Sequence, residues 1–366
     1  MTVLQAAMPT LAGGSPLPMV SLVIPIRNEA RSIGGCLDAV LAQRYPRNLM
    51  EILVVDGGSR DGTIEIVRRY AARDGRIRLL DNPSGAIPTG LNIGIRNARG
   101  SVIARVDSRS RLGEQYLETG IRLLAETGAS NVGGQVRSVT KTPLARILAA
   151  AQESRFGMGG AAVRYRAGGD QDVDTVYLGI YPRSVLERIG LYDEEMQRDQ
   201  DDELNFRLRE HGGRVRVSPA LVVTYLNSPS LGRFLRQHVL YGFWKVRVCQ
   251  KHPTMMSRRH WIPPIFTFAL LAAPVTAAIR PGLIPVMAAV LGIYGAGALT
   301  ATVAAAGRIG WRLAAPLPAI FFLMHATWGL GFLAGLVRFL PRWFRDEQEP
   351  PRLAPLNLTT PVEAGS

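Results

Sequence analysis

Residues 51–63 read EILVVDGGSRDGT, an apolar run that ends in a loop of polar and turn-forming residues. The β-branched run predicts a strand that is buried on both faces, as in a parallel sheet. The loop leads into residues 63–72, where the apolar side chains have helical spacing. A strand, a loop and a helix in this order form the repeating unit of an α/β fold.

The same alternation continues on both sides of this stretch. An apolar run at residues 20–26 (VSLVIPI) predicts the first strand. Further strands are predicted at residues 77–80, 101–106, 132–139, 173–180 and 215–225, and helices at residues 32–43, 89–98 and 204–210. The rhythm predicts an α/β fold with a mostly parallel, doubly wound sheet and flanking helices.

Charge and cysteine content narrow the classes of function. The chain has 366 residues, a formal net charge of +14 and two cysteines, Cys36 and Cys249. The cysteines are far apart and have no CxxC spacing, so neither a zinc site nor a disulfide framework is indicated. A basic chain favours nucleic acid, anionic lipid or phosphorylated ligands as partners. Because the sequence has no nucleic-acid-binding motif, lipid and phosphate are the expected partners.

The C-terminal part of the chain is apolar. Long apolar runs cover residues 262–279, 283–306 and 317–337, and a membrane-spanning helix needs about 20 residues. The last two runs predict membrane spans. Prolines at 263, 264 and 274 interrupt the first run, so two spans and three spans both remain open. The three-span topology would place the arginines after residue 337 outside the cell, against the positive-inside tendency.

These patterns divide the chain into five parts. Residues 1–18 lack the features of a signal peptide and are expected to be a disordered lead-in. Residues 19–230 form the α/β domain, and residues 262–340 form the transmembrane region of two to three spans. Residues 231–261 between them are basic and aromatic, which is typical of a segment that lies against lipid headgroups. Residues 341–366 are expected to be a polar tail.

Polar side chains follow the predicted strands at the edge where open α/β sheets bind ligands. Glu29, Asp56 and Asp107 follow the first, second and fourth strands. A carboxylate such as Asp56 can accept hydrogen bonds from a ribose or a base, and Asp107 suits Mg²⁺ or Mn²⁺. Each acid can instead cap a turn or helix, and for Asp61 both interpretations stay open. No GxGxxG or P-loop follows the first strand, so dinucleotide and P-loop sites lose their main support.

A second acidic group lies at residues 199–203 (DQDDE), just before a predicted helix. Acids in a first helical turn interact favourably with the helix dipole, which explains one or two of these carboxylates but not all four. Crowded carboxylates raise one another's pKa. A partly desolvated aspartate in this group can therefore act as a general base.

Taken together, these stretches resemble the family 2 glycosyltransferases, which have the GT-A fold. The matching segments are residues 23–29 (VIPIRNE), 54–63 (VVDGGSRDGT), 82–100, 105–109 (RVDSR, at the family's DxD) and 200–208 (QDDELNFRL). With its apolar C-terminal part, the arrangement resembles the ExoA-like succinoglycan-biosynthesis glycosyltransferases.

The resemblance implies a role for each matched residue. The implied donor-binding residues are Pro25, Arg27, Glu29, Asp56, Gly85, Asn92, Asp107 and Arg109, and Asp107 is also the implied metal ligand. Asp201 matches the catalytic aspartate of the family and is the predicted base. Asp202 and Glu203 complete the acidic motif next to the acceptor, and Gln200 replaces its usual acidic neighbour.

The sequence departs from the family's pattern in two places. Arg109 replaces the second acid of DxD and so removes one expected ligand of Mg²⁺ or Mn²⁺. Either Asp107, the diphosphate and another residue hold the metal, or Arg109 itself neutralises phosphate charge. The QxxRW motif of processive synthases is missing from the sequence, which favours the addition of one sugar per event.

The sequence therefore predicts an inverting glycosyltransferase in the cytoplasmic membrane, multi-pass, with its catalytic domain in the cytosol. It would transfer a sugar from a nucleotide-diphosphate sugar, in this family usually a UDP-sugar, to a lipid-linked or growing exopolysaccharide acceptor. Membrane lipid and other polysaccharide-assembly proteins are the further expected partners, and nucleic acid is not. One alternative is a non-catalytic scaffold that binds nucleotide sugars in an assembly complex, which Arg109 suggests. Another is a transporter accessory, for which His325 is the candidate polar residue within the spans.

Overall fold

The computed structural model describes residues 17–140, 142–165, 168–225, 230–255 and 260–344. These residues form an α/β domain that is followed by long apolar helices, as predicted. The predicted lead-in (residues 1–18) and polar tail (residues 341–366) lie largely outside the described residues.

The strands are β1 (Val20–Ile26), β2 (Met50–Asp56), β3 (Ile77–Asp81), β4 (Val102–Arg105), β5 (Ser110–Leu112), β6 (Asn131–Ser138), β7 (Gln171–Asp172), β8 (Tyr177–Pro182) and β9 (Val215–Tyr225). The helices of the α/β domain are α1 (Ile33–Leu41), α2 (Thr63–Ala71), α3 (Ile87–Arg96), α4 (Tyr116–Thr127), α5 (Pro143–Glu153), α6 (Arg155–Met158), α7 (Arg183–Ile189) and α8 (Gln200–Glu210). The later helices are α9 (Leu231–Lys251), α10 (Ile262–Ile279), α11 (Ile284–Ile309), α12 (Trp311–Ala314) and α13 (Leu317–Phe339). Short 3-10 helices cover Arg47–Leu49, Gly159–Arg164, Pro253–Met255, Pro281–Leu283 and Leu340–Phe344.

The strands of the described residues form one sheet in the order β3-β2-β1-β4-β8-β6-β9-β5, with β7 paired to β9. The half from β3 to β4 is parallel, as predicted. In the other half, β8 runs antiparallel to β4 and β6, and β5 runs antiparallel to β9. The predicted α/β fold class is confirmed, but this half of the sheet is mixed rather than mostly parallel, since β6 runs parallel to β9.

The predicted strand at residues 173–180 is also only partly right. Residues 171–172 form β7 and residues 177–182 form β8, so the first half of the predicted strand, residues 173–176, is a loop. The other predicted strands agree with the structure to within two residues at each end.

The path of the chain through the parallel half creates the ligand-binding edge. The chain passes from β1 to β2 and β3 on one side, and then returns to β4 on the other side of β1. The carboxyl ends of β1 and β4 therefore meet at a topological switch point, where open α/β sheets bind ligands. Buried apolar side chains from α1, α2 and α4 cover one face of the sheet, and those from α3, α7 and α8 cover the other.

Within the described part of the chain, three helical segments are long and apolar enough to cross a membrane, namely Ile262–Ile279, Pro281–Ile309 and Trp311–Trp343. The first remains helical although Pro274 lies inside it, and two further prolines occupy its first turn, where no backbone N–H is needed. The three apolar runs of the sequence thus form helices that could span a membrane by length and composition.

Helix α9 joins the α/β domain to the apolar helices. Three of its basic residues have buried side chains that pair with acids of the α/β domain: Lys245 with Asp202, Arg247 with Glu195 and Lys251 with Asp193. The prediction that segment 231–261 lies with its basic residues against lipid headgroups is wrong for these three, because protein encloses their side chains. Their ion pairs instead hold α9 on the α/β domain.

The opposite side of α9 packs along α13 through small residues. A Cβ atom at Gly242 would overlap the backbone carbonyl of Trp328, and one at Gly331 would overlap the carbonyl of Val239. Such close backbone approach is typical of small-residue helix crossings. The contact runs the length of α13, from its apolar start against Phe234 to its last turn, where Gln250 donates to a backbone carbonyl at 2.9 Å.

We expect Gly242→Ala to destabilise the protein, because the added methyl group would force α9 away from α13. Overpacking of this kind costs about 1–3 kcal/mol. Thermal unfolding of the purified full chain in detergent measures the effect. Gly232→Ala on the same helix is the matched control, since a Cβ there meets open space, and alanine favours a helix over glycine. Equal melting temperatures for the two variants would contradict the described packing.

Candidate active site

A cavity of about 240 Å³ opens at the switch point of the sheet. Six of the eight predicted donor-binding residues line it, namely Pro25, Arg27, Glu29, Gly85, Asp107 and Arg109. Pro25 lies at the end of β1, and the others come from the loops after β1 and β4 and from the loop before α3. Arg198 and Tyr225, which the sequence analysis missed, also line it with polar side chains. The structure thus brings most of the predicted donor site together.

Asp56, in contrast, does not belong to the lining of this cavity. Its carboxylate accepts hydrogen bonds from the backbone N–H groups of Gly58 and Ser59, both at 3.0 Å, and from the Ser59 hydroxyl at 2.5 Å. These contacts shape the turn after β2, where Gly57 lies against Gly85. Asp56 therefore stabilises the turn that supports the cavity wall. Its predicted contact with the nucleoside stays a prediction, since Asp56 does not line the cavity.

Asp61 and Asn92 also have structural contacts. The Asp61 carboxylate accepts from the backbone N–H groups of Ala30 and Thr63, both at 3.2 Å, and the hydrogen bond from the Thr63 hydroxyl lowers its pKa. The Asn92 side chain is buried and bonds both the N–H and the carbonyl of Tyr192, at 2.9 and 2.8 Å. Asn92 thus fixes α3 to the segment that leads to α8, which differs from its predicted contact with the donor.

Arg109, which replaces the second acid of DxD, pairs with Glu29. Its Nε atom lies 2.9 and 3.0 Å from the two carboxylate oxygens, and one Nη atom lies 2.8 Å from Oε1. The hydrogen bond to Glu29 raises the pKa of Arg109. The Arg109 side chain remains 48% exposed at the cavity, so its guanidinium is accessible to a phosphate.

Arg105 contacts both Asp107, the predicted metal ligand, and Asp201, the predicted base. Its Nε and Nη2 atoms donate to Asp107 at 3.2 and 3.1 Å, and its Nη1 atom donates to Asp201. The Arg105 side chain is only 5% exposed. Burial alone would lower its pKa, but Asp107 and Asp201 hold the pKa well above the ordinary value. One buried cation therefore positions the predicted base next to the predicted donor site.

The other oxygen of Asp107 accepts a hydrogen bond from the Tyr177 hydroxyl at 3.0 Å. Tyr177 also lies 3.0 Å from the Ser110 hydroxyl and packs edge-on against Tyr225, with ring centroids 6.0 Å apart. The sequence analysis missed Arg105, Tyr177 and Tyr225. For Arg105 a signal existed, because a charged residue interrupts an otherwise apolar strand.

The residues around Asp107 fit a divalent cation in one way. Among the described residues, no group of three or more His, Cys, Asp or Glu could hold a metal ion. Asp107 does present a carboxylate at the cavity, and Mg²⁺ commonly binds one or two carboxylates together with substrate phosphates. The site therefore suits a cation that is held by Asp107 and by the diphosphate of a donor.

The acids of the motif at residues 200–208 point to different places. Asp201 contacts Arg105, and Asp202 contacts Lys245 of α9. Glu203 is buried inside the domain, where it forms a bidentate pair with Arg207 at 2.9 Å for both contacts. Burial opposes its ionisation, but Arg207 and His252 hold the pKa of Glu203 below its ordinary value. The prediction that Glu203 belongs to the acceptor site is therefore wrong, since a substrate cannot reach it.

A second cavity, of about 430 Å³, lies between the start of α8 and the apolar helices. Asp199 and Asp202 line this cavity, whereas Arg198 lines the first one. Residues 198–202 thus separate the two cavities, and Asp201 lies within that partition. The sequence analysis did not predict the second cavity, because its walls come from distant parts of the chain.

The comparison with known families explains this arrangement. The model of the glycosyl transferase family 2 matches residues 21–189. Residues 21–189 are therefore a domain of glycosyltransferase family 2. The resemblance noted from its motifs is thereby confirmed, and the protein is a glycosyltransferase.

Two relatives match this glycosyltransferase over most of its length. It is 29% identical over 329 residues to the succinoglycan biosynthesis protein ExoA of Rhizobium meliloti (strain 1021), a match that covers 88% of this chain and 96% of that protein. It is 26% identical over 328 residues to the dolichyl N-acetyl-alpha-D-glucosaminyl phosphate 3-beta-D-2,3-diacetamido-2,3-dideoxy-beta-D-glucuronosyltransferase of Methanococcus voltae, covering 87% of this chain and 97% of that protein.

A solved structure confirms the fold. The mannosyltransferase PcManGT from Pyrobaculum calidifontis, solved in complex with GDP-Man and Mn²⁺, matches the glycosyltransferase with a TM-score of 0.60 at 19% identity. The match covers 88% of this chain and 89% of that chain. The α/β domain therefore has the GT-A fold, as the sequence motifs predicted.

Proposed function

We propose that this glycosyltransferase transfers one sugar, with inversion, from a nucleoside diphosphate sugar to a lipid-linked glycan at the cytoplasmic face of the membrane. The observation that carries the proposal is the position of Asp201. It lies in the partition between the two cavities, and Arg105 ties it to Asp107 of the donor cavity. A base that deprotonates one reactant for attack on another belongs between them.

The donor cavity has the chemistry of a nucleotide-sugar site. Arg27, Arg109 and Arg198 line it, and guanidinium groups bind phosphate oxygens well. A divalent cation, when bound, would be held by Asp107 and would neutralise diphosphate charge. The complex of PcManGT with GDP-Man and Mn²⁺ agrees with this class of donor. The proposal that the base of the donor is uridine rests only on the family resemblance.

The mechanism follows from the two cavities. A hydroxyl group of the acceptor approaches from the second cavity and attacks the anomeric carbon on the face opposite the diphosphate. Asp201 takes the proton of the hydroxyl, the new glycosidic bond forms, and the bond to the diphosphate breaks with its electrons. A single displacement of this kind inverts the anomeric centre. Arg105 holds the Asp201 carboxylate in place, which keeps the reacting groups aligned.

A lipid-linked acceptor agrees with the apolar helices and with one relative. The second cavity lies between the catalytic domain and those helices, so a glycan that is anchored in the bilayer can reach it. The name of the Methanococcus voltae relative includes a dolichyl phosphate, which is a lipid-linked group of this kind.

The apolar helices support a membrane location and suggest its topology. Helix α10 begins against α13, where Trp261 contacts Phe332, and the end of α11 returns to the α/β domain, where Arg308 lies 3.9 Å from Glu153. Residues 281–293 between these contacts are almost entirely exposed. Helix α13 stays against α9, and Arg342 beyond it pairs with Glu195. This geometry favours a hairpin that enters the bilayer and returns to the catalytic side.

The topology proposal predicts a cytosolic C-terminus. A green fluorescent protein fused to the C-terminus of the full chain is then expected to fluoresce, and alkaline phosphatase in the same place to be inactive. Basic residues on that side also agree with the positive-inside tendency. Active alkaline phosphatase would instead support three complete spans.

The experiment that tests the proposed function is a screen of the purified full chain against several nucleotide sugars, with and without Mn²⁺ or Mg²⁺. Release of nucleoside diphosphate is the readout. A non-catalytic scaffold would bind a donor and release no nucleoside diphosphate.

The alternative of a transporter accessory depended on His325 as a polar residue within the spans. Both ring nitrogens of His325 have partners inside the protein, namely the Tyr294 hydroxyl at 2.8 Å and the Gly157 carbonyl at 3.2 Å. This residue therefore gives the transporter alternative no support.

A further inference from the structure

We propose that the second cavity is the acceptor site, and that it takes the junction of a saccharide with a phosphate-linked, single-chain hydrocarbon carrier. This inference rests on the proposed function and specifies which part of the acceptor the protein holds. It depends on three features of the cavity wall, which are a polar end, a buried imidazole and an apolar end.

The polar end lies beside the predicted base. Asp199 and Asp202 line it together with Lys245, whose ammonium group contacts both carboxylates. Asp201 follows in the same turn and faces the donor side through Arg105. A saccharide with several hydroxyl groups suits this end, since carboxylates accept hydrogen bonds from hydroxyls. Its attacking hydroxyl would then be next to Asp201.

The buried imidazole belongs to His238, whose side chain lines the cavity. His238 is 4% exposed, and its Nδ1 atom lies 2.8 Å from the carbonyl of Phe234. Burial lowers its pKa to about 4, so the ring is neutral near pH 7 and its Nε2 atom is a hydrogen-bond acceptor. Within the described part of the chain, Nε2 has no hydrogen-bond partner. Because buried polar groups are normally paired, this atom indicates a donor group on a ligand.

The apolar end is formed by the helices that face the membrane. Phe266 of α10, Tyr294 of α11 and Met324 of α13 line it. His325 lies there too, but its ring nitrogens are bonded within the protein, so this end offers a ligand mainly apolar contacts. A hydrocarbon chain can therefore pass from the bilayer into the cavity between these helices.

The phosphate between saccharide and hydrocarbon has a cationic neighbour. Arg155 at the start of α6 lines the cavity and is exposed, and arginine is well suited to phosphate. The cavity thus offers carboxylates to the saccharide, an arginine to the phosphate and apolar side chains to the hydrocarbon.

Photo-crosslinking of the full chain in lipid nanodiscs tests the assignment. The probe is farnesyl phosphate that carries a benzophenone at the end of its hydrocarbon chain. We expect label on peptides of α10 and α13 that line the cavity, and protection by undecaprenyl phosphate but not by phosphatidylglycerol. Label confined to surfaces outside the cavity, or equal protection by both lipids, would overturn the proposal.

Cavity variants give a second measurement. Met324→Trp fills the apolar end and is expected to lower specific labelling by about tenfold. Ala161→Leu at the wall of the same cavity serves if the first variant fails to fold. Leu299→Trp is the matched control, because Leu299 is an exposed residue of α11 outside the cavity. Equal labelling of the folded cavity variant and the control would contradict the site.

The imidazole has its own test. His238→Phe keeps an aromatic ring of similar shape and removes the Nε2 acceptor. We expect a higher KM for a lipid-linked acceptor, and an unchanged KM in the folded variant would contradict this role of His238. Sugar transfer separates the two proposals. If the wild type transfers no sugar from any nucleotide sugar to a lipid-linked acceptor, the proposed function fails, whereas unchanged labelling by the cavity variants removes only the acceptor site.

Discussion

Asp201→Asn is expected to lower turnover by about 10²- to 10⁴-fold, the usual contribution of a general base. Asparagine has nearly the same shape and can still accept the hydrogen bond from Arg105, but it cannot take the proton of the acceptor hydroxyl. Donor binding should therefore be preserved. Single-turnover sugar transfer measures the first effect, and calorimetric titration with the nucleoside diphosphate measures the second.

Asp202→Asn is the matched control for this experiment. Asp202 is the adjacent carboxylate, and its partner is Lys245 rather than Arg105. Since it lines the acceptor cavity, we expect its loss to raise the KM for the acceptor more than it lowers turnover. If Asp201→Asn turned over at close to the wild-type rate, the base would have to be another group.

Arg105→Met is expected to have the second large effect. It removes the one cation that contacts both Asp107 and Asp201 among the described residues, and it leaves two carboxylates close together in a partly buried site. Breaking a buried ion pair costs about 3–5 kcal/mol. A displacement of Asp201 by about 1 Å would lower turnover on the order of 10²-fold. Turnover and the melting temperature of the purified variant should both fall.

Two further variants separate positioning from stability. Arg105→Lys keeps the charge but loses the planar fork that reaches both carboxylates, so we expect a partial recovery of turnover. Arg207→Met removes an equally buried arginine whose partner, Glu203, lies away from the cavities. It should lower the melting temperature to a similar extent while the folded fraction keeps its turnover. Equal turnover in Arg105→Met and Arg207→Met would show that Arg105 has only a structural role.

The parts of the fold that the sequence predicted are those with local patterns. Strands β1 and β2 are continuous apolar runs that end in polar loops, and both lie within the parallel half of the sheet. The second half of the sheet depends on pairings such as the antiparallel pairing of β4 with β8, which joins distant segments. No local periodicity encodes such a pairing, so the sequence analysis extended the parallel pattern too far.

The same limit applies to the site. The motifs singled out Glu29, Asp107 and Asp201, and the structure brings them to one region, because each lies at the end or start of an element whose position is fixed by the fold. The link through Arg105 could not be predicted, since it joins residues 96 positions apart. The composition of α9 also did not reveal whether its basic and aromatic residues contact lipid or other parts of the protein. Basic and aromatic residues suit a lipid surface, but they equally suit acids and an aromatic helix of the same protein.

The two faces of α9 restrict how this enzyme can be rearranged. One face is fixed by ion pairs to the segment that leads into the acidic motif, and the other is fixed by glycine contacts to α13. A chimera that joined the catalytic domain to the membrane anchor of another protein would lose the second set of contacts and uncover an apolar surface. In engineering, α8, α9 and α13 should therefore be exchanged as one module.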